Sequence, residues 1–394
     1  MAASNIVSGL FGIVLFIYLA RTLEPEAFGY ISYVFTIIFF MANFIDMGLS
    51  TYGTREVAKN KAGLTNYVSG IVSLRFLIAA IITAILILVT AISSYSPIVK
   101  ALIVEACLML FIFAFATEWA FQGLEAMHMV FISATVTSVL QVGLIYLFVK
   151  GPTDLLHVPV LYFIAALPVI ITFLAMLKFN IRTKIANFKT MVSFLSGSVI
   201  IWLISIFAQV YNALDLFILG FFRPLQEVGY FTISRRITGT IAVFMLFLAN
   251  AVLPRLASSF CSDRMQFKGE IGKFLKLASA LTVFFLLPLV FFNKYIISLT
   301  VGAEYLPACP SLSIMSIGLI LILFNLPYST ALIACGMEKD VLWQVIGCAT
   351  LSLILNFILM PIYGMIGASV SFVIVEFVAL VWIIIVFKQR GSKW

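Results

Sequence analysis

The residues able to do chemistry in this chain are few, and they sit in apolar surroundings. Asp215, Arg235 and Arg236 lie inside long hydrophobic runs, where an ionised side chain is costly unless it meets protein, a partner charge or a water-filled cavity. Ser198, Trp202, Ser205, Gln209, Asn212 and Asp215 recur at steps of 4, 3, 4, 3 and 3, which puts all six on one helical face. Thr232, Arg236 and Thr240 share a face of the following run, with Arg235 beside them. Asp215 precedes Gly220 by five residues and Arg235 follows Val228 by seven, so both lie roughly 8–11 Å below the same membrane surface at about 1.5 Å per residue. Two readings follow. Asp215 and Arg235 form a buried ion pair gluing two helices, or two Arg against one Asp leave a surplus cation that draws an anion. A phosphate suits the second reading, because guanidinium offers it a bidentate fork.

Other polar residues carry similar alternatives. Glu376, near the middle of the last apolar run, is either a proton-coupling carboxylate or a hydrogen-bonding partner in helix packing, with no cationic partner evident in the sequence. Asp46 is ambiguous for the same reason. With Asp215, these two are the candidate carriers of H⁺ or Na⁺. Trp202, Tyr211 and Tyr230 either stack on a sugar ring or anchor helix ends at the membrane interface. Arg75 reads as snorkelling to the interface, since the run 76–92 beyond it almost spans by itself. The five Cys (Cys107, Cys261, Cys309, Cys335, Cys348) show no CxxC spacing, and His128 and His157 are far apart, so neither a metal site nor a disulfide framework is expected. No cofactor is expected either, an ion gradient apart.

These side chains must be positioned by membrane helices. Of 394 residues, 63% are hydrophobic and 10% charged, against about 45–50% and about 25% in soluble domains. Twelve apolar runs occupy 4–20, 28–49, 66–92, 98–121, 127–149, 156–178, 191–220, 228–253, 274–292, 309–334, 341–360 and 363–387. They are continuous and lack the alternation of barrel strands, so helices are predicted. Too little chain remains for a soluble catalytic domain, which excludes most enzyme classes. With the N-terminus inside, sixteen of the 24 Lys and Arg fall on the cytoplasmic side, five opposite and three within spans. This predicts both termini in the cytoplasm. The net charge of +8 is then a topology signal rather than a nucleic-acid footprint.

The two halves echo each other. Phe28-Gly29-Tyr30 corresponds to Val228-Gly229-Tyr230, and Arg55 to Arg255, at an offset of 200; Gly123-Leu124-Glu125 corresponds to Gly336-Met337-Glu338 at 213. An even number of helices per copy makes the repeat parallel, about an axis along the membrane normal. The predicted organisation is an all-α polytopic membrane protein: a six-helix lobe over 1–179, a cytoplasmic linker over 180–190 and a second lobe over 191–394. The charges of the second lobe are not duplicated in the first, where Leu15, Phe35 and Thr36 hold the positions of Asp215, Arg235 and Arg236.

STYGTREVAKNK (50–61), WAFQGLEAM (119–127), and NALDLFILGFF (212–222) running into VGYFTISRRI (228–237) resemble the Wzx-type polysaccharide flippases of the multidrug/oligosaccharidyl-lipid/polysaccharide exporter superfamily. The resemblance covers essentially the whole chain, and WxFQGxE is its most specific motif. It implies a MATE-like fold of twelve helices in two lobes, and alternating access. The implied cargo is an undecaprenyl-pyrophosphate-linked oligosaccharide, moved between leaflets of a bacterial or archaeal cell membrane. It implies a substrate cavity to which Arg235, Arg236, Asp215, Asn212, Gln209 and Trp202 contribute. Arg55, Glu56, Trp119, Gln122, Gly123 and Glu125 match cytoplasmic motifs with a gating role. Partners implied are the lipid-linked cargo, the bilayer, a polysaccharide polymerase and a chain-length regulator. Relatives usually carry a basic stretch before the first helix, which MAASN lacks, so a truncated start is expected. Lipid II flippases usually carry two further C-terminal helices. A drug/cation antiporter shares the fold but tends to line its cavity with carboxylates and aromatics. A polymerase is expected to carry a long outer loop, and a scaffold needs no charged stripe.

Overall fold

The computed structural model describes residues 2–177, 188–262 and 264–391, and within them the chain forms helices and connecting turns with no strand. The helices are α1 (Ala2–Asp46), α2 (Leu49–Lys59), α3 (Leu64–Ile92), α4 (Pro97–Phe115), α5 (Glu118–Gly123), α6 (Met127–Phe148) and α7 (His157–Met176). They continue with α8 (Phe188–Phe222), α9 (Leu225–Ser262), α10 (Arg264–Phe291), α11 (Asn293–Thr300), α12 (Cys309–Ala334) and α13 (Glu338–Gly391). Two of these are pairs of membrane crossings joined without a loop. α1 breaks at Glu24 (φ 63°, ψ 166°) immediately before Pro25: proline excludes the helical ψ at its predecessor, and the positive φ is strained backbone for a glutamate. α13 breaks at Gly364 (φ 56°, ψ −135°), a conformation open essentially to glycine alone. A side chain there would also fall 2.1 Å from Glu227 Oε2. Counting each limb separately gives the twelve crossings that the apolar runs predict.

Two short helices, α2 and α11, lie outside those runs. The stretch 50–61, expected as a loop, folds as α2 because Leu49, Gly53 and Val57 recur at helical spacing and bury one face. Full burial of Leu49 and Val57 stabilises it by roughly 1.5–3 kcal/mol each. Its other face carries exposed Arg55 and Lys59. The fourth run is interrupted: α4 ends at Phe115 and α5 restarts at Glu118. α10 begins ten residues before the predicted span, at Arg264, because Phe267, Ile271 and Phe274 give this basic segment a buried apolar face.

The chain divides into two compact units, Met1–Ile206 and Phe207–Trp394. The boundary falls inside α8, whereas the sequence places it at 180–190, of which 180–187 lie outside the described residues. The first part of α8 packs on the first unit through close approaches. A side chain at Gly48 would lie 2.8 Å from the Ser198 carbonyl oxygen, and one at Gly197 would lie 2.5 Å from the Tyr52 ring. Phe44 and Trp202 meet edge-on at 5.6 Å.

Within the first unit α4 packs against α1, α3 and α7; within the second, α12 packs against α9, α10 and α13. The fourth and tenth crossings are thus equivalent hubs, as a repeat requires. Both segments stop in the same way. Glu125 (φ 64°) and Gly336 (φ 73°) are left-handed. Ala126 N donates to Phe121 O at 2.9 Å and Glu125 N to Gln122 O at 3.0 Å, matched by Met337 N to Leu332 O and Gly336 N to Ile333 O, both at 3.0 Å. Each is a Schellman turn. The structural offset is therefore 211, two less than the letters suggest.

Candidate functional site

In the second unit α8 and α9 are joined by a turn at Arg223 and Pro224, so residues at similar distances from it face each other. Arg235 Nε lies 3.1 Å from Asp215 Oδ2, with the side chains 18% and 11% exposed. The other carboxylate oxygen accepts from Leu216 N at 2.8 Å. The guanidinium also lies over the Phe372 ring, 5.2 Å from Cζ to centroid. Arg235 is therefore held along its edge by a carboxylate and across its plane by an aromatic ring. Helix α9 is fixed beside this site by Ser234 Oγ, which donates to Ala308 O at 3.1 Å, and by Tyr230, whose ring meets Tyr305 edge-on at 6.2 Å.

The remaining predicted residues distribute around this pair. Arg236 is exposed and Gln209 half-buried. The Asn212 side chain lies outside the described residues. Glu376 is buried, one helical turn beyond Phe372. Trp202 belongs to the first unit, thirteen residues before Asp215 on α8, which is about 20 Å of helix. Phe372 was missed by sequence reasoning, since one ring among many in an apolar run carries no signal.

In the first unit a second buried charge appears, and it corrects two sequence expectations. Arg75 does not snorkel: its side chain is 1% exposed and pairs with Asp46. Nη2 also donates to Ser50 Oγ at 2.6 Å and Nη1 to Ala116 O at 3.0 Å. Asp46, read as having no cationic partner, has Arg75, and it further accepts from Gly48 N at 3.1 Å, Ser50 N at 3.2 Å and Ser50 Oγ at 2.7 Å. The physical reason is that both interruptions of the helices supply polar groups at the depth of Arg75. The break after α1 brings the Asp46 carboxylate, and the break after α4 frees the Ala116 carbonyl. Asp46 with Gly48 and Ser50 is a turn-and-cap pattern, the one signal that pointed here.

The motif residues converge on the same end of this unit. Thr54 Oγ1 donates to Trp119 O at 3.0 Å. Gly53 and Gly123 allow α2 and α5 to touch: a Cβ at Gly53 would lie 2.5 Å from the Trp119 ring, and one at Gly123 would lie 2.8 Å from the Thr54 carbonyl oxygen. Arg55 is exposed, pairs with Glu56 at 3.1 Å and lies over Tyr52 at 5.4 Å. Gln122 and Glu125 form the Schellman turn. Trp119, Gly123, Gln122 and Glu125 therefore shape a packed corner.

Comparison with known proteins bears on the fold and the family. A protein of Escherichia coli (strain K12) named "Putative O-antigen transporter" is 24% identical, aligned over 96% of this chain and 92% of its own length. An inward-facing structure of a multidrug resistance MATE family transporter of the MOP superfamily superposes with a TM-score of 0.77 at 17% identity, covering 98% of this chain and 95% of that one. The lipid II flippase MurJ, in an inward closed conformation, gives 0.75 at 15% identity, covering 98% and 87%. The fold is thus shared with these transporters. The family described as polysaccharide biosynthesis protein matches residues 1–260, and the chain belongs to that family.

Proposed function

We propose that this protein flips an undecaprenyl-pyrophosphate-linked oligosaccharide, a repeat unit of O-antigen, capsule or exopolysaccharide, from the cytoplasmic to the periplasmic leaflet. The observation that carries the reading is the Asp215–Arg235 pair beneath Phe372: a guanidinium held at membrane depth, in a chain of the polysaccharide biosynthesis family. An Arg within a membrane helix is costly, up to about 2.5–3.5 kcal/mol at the centre by insertion scales, and a pyrophosphate head group gives that cost a purpose. Arg236, on the next position, adds positive charge. Gln209 and Asn212, which the sequence spacing puts on one face with Asp215, hydrogen-bond the sugars, while the polyprenyl tail stays in lipid. Alternating access of the two units moves the head group without covalent chemistry. Return of the empty protein is driven by H⁺ or Na⁺, with Asp215 and Glu376 as carriers. Asp46, paired with Arg75 as Asp215 is with Arg235, is the third candidate. The asymmetry of Lys and Arg supports a reading with both termini in the cytoplasm of a bacterial or archaeal cell. The polymerase and chain-length regulator that act on the flipped unit are its expected neighbours.

The test is deletion of the gene in its host, followed by extraction of polyprenyl-linked intermediates. Complete single repeat units accumulating on the inner leaflet, absent from the surface, support the proposal and identify the cargo by mass. Unpolymerised units at the surface would indicate a polymerase instead. Unchanged intermediates would move the assignment to a drug/cation antiporter.

A further inference from the structure

The ring that covers Arg235 is itself seated on a glycine. Phe372, in the second limb of α13, lies against Gly318 of α12. A Cβ at Gly318 would fall 2.4 Å from Phe372 Cε1 and 2.6 Å from Cδ1, closer than a side chain is tolerated, and both atoms belong to a rigid ring. Phe372 is half-buried, between the buried Ser371 and Val375, and it reaches α9. Its contact there is the guanidinium of Arg235, centroid to Cζ 5.2 Å, whose Nε edge is already held by Asp215 at 3.1 Å. A backbone position on α12 thus fixes a ring on α13, and the ring fixes the plane of a side chain on α9.

We propose that Phe372, seated on Gly318, is a positioning residue that presents the Arg235 guanidinium to a phosphate-bearing ligand. The inference rests on the reading of Arg235 as a head-group ligand. Arg is rotamer-rich, and orienting it before binding removes an ordering cost that would otherwise be paid on association. A planar fork also rewards orientation more than a point charge does.

The test is calorimetric titration of full-length detergent-solubilised protein with undecaprenyl pyrophosphate in mixed micelles. Phe372→Leu, which keeps apolar bulk but loses the π face, is expected to weaken binding about tenfold, and Phe372→Tyr to stay within about twofold of wild type. Gly318→Ala should match Phe372→Leu. Gly347→Ala creates a comparable clash with Trp382, 2.8 Å away in the same unit, and should leave affinity unchanged. The deciding comparison is Phe372→Leu in an Arg235→Gln background, where it is expected to cost less than about twofold because its effect acts through the guanidinium. Wild-type affinity for Phe372→Leu, or a full tenfold loss again in the Arg235→Gln background, would overturn the positioning role. If Arg235→Gln alone binds like wild type, the head-group reading of Arg235 fails instead.

Discussion

Glu125 and Gly336 occupy the same left-handed position of the same helix-stop turn, 211 residues apart. One copy of the duplicated turn uses the residue that tolerates a positive φ; the other forces a glutamate into it.

Exchanging those residues should therefore have opposite effects. Glu125→Gly is expected to stabilise the protein by up to about 1 kcal/mol, and Gly336→Ala to destabilise it by a similar amount. Thermal unfolding of the purified protein in detergent reads both signs. A lower melting temperature for Glu125→Gly would mean that its side chain makes a contact worth more than the strain.

The Asp46–Arg75 pair makes an asymmetric prediction. Asp46→Ala leaves a fully buried guanidinium without the carboxylate it touches, and is expected to cost about 3 kcal/mol and most of the membrane-accumulated protein. Arg75→Met leaves a carboxylate that is 38% exposed and still bonded to Ser50, so its cost should be smaller. Fluorescence-detected gel filtration of tagged variants ranks them. Equal losses would contradict the assignment of Arg75 as the buried partner.

Structural glue and ligand binding at Asp215–Arg235 separate in a double variant. Arg235→Gln alone strands a carboxylate that is 11% exposed, so stability falls. Asp215→Asn/Arg235→Gln removes both charges and should recover most of it, while export of polysaccharide stays at least about tenfold down, the loss of a charge-assisted contact. Export at the wild-type rate from the double variant would reduce the pair to helix packing. Arg235→Lys should restore export only in part, because an ammonium cannot form the bidentate fork.

Orientation is open to direct labelling. In a background without native cysteines, Glu125→Cys should react with a membrane-impermeant maleimide only after the cytoplasmic face is opened, and Lys150→Cys in intact spheroplasts. Both positions are exposed. The reverse pattern would invert the topology and with it the direction of transport.

What the sequence made legible follows from the range over which each force acts. Twelve apolar runs appear as twelve crossings because hydropathy is a property of the segment itself. Asp215 and Arg235 were found because opposite charges at equal depth, on helices joined by a short turn, have few other places to go. Arg75 was misread because its partners, Asp46 and the Ala116 carbonyl, become available only at helix breaks, and apolar composition runs across both. Phe372 and Gly318 were invisible: a ring and a glycine in apolar stretches acquire meaning only when three helices meet. The repeat was read two residues out of register at its third echo because letters drifted while the turn geometry stayed.

The burial of Arg75 also bears on how the chain is made. Asp46 and Ser50 leave the ribosome before Arg75, but Ala116 follows 41 residues later, about 2–8 s at ordinary rates of synthesis. During that interval α3 enters the bilayer with a guanidinium that only the preceding helix can neutralise. The contacts of Arg75 with Asp46 and Ser50 are the ones open to it before residue 116 is made.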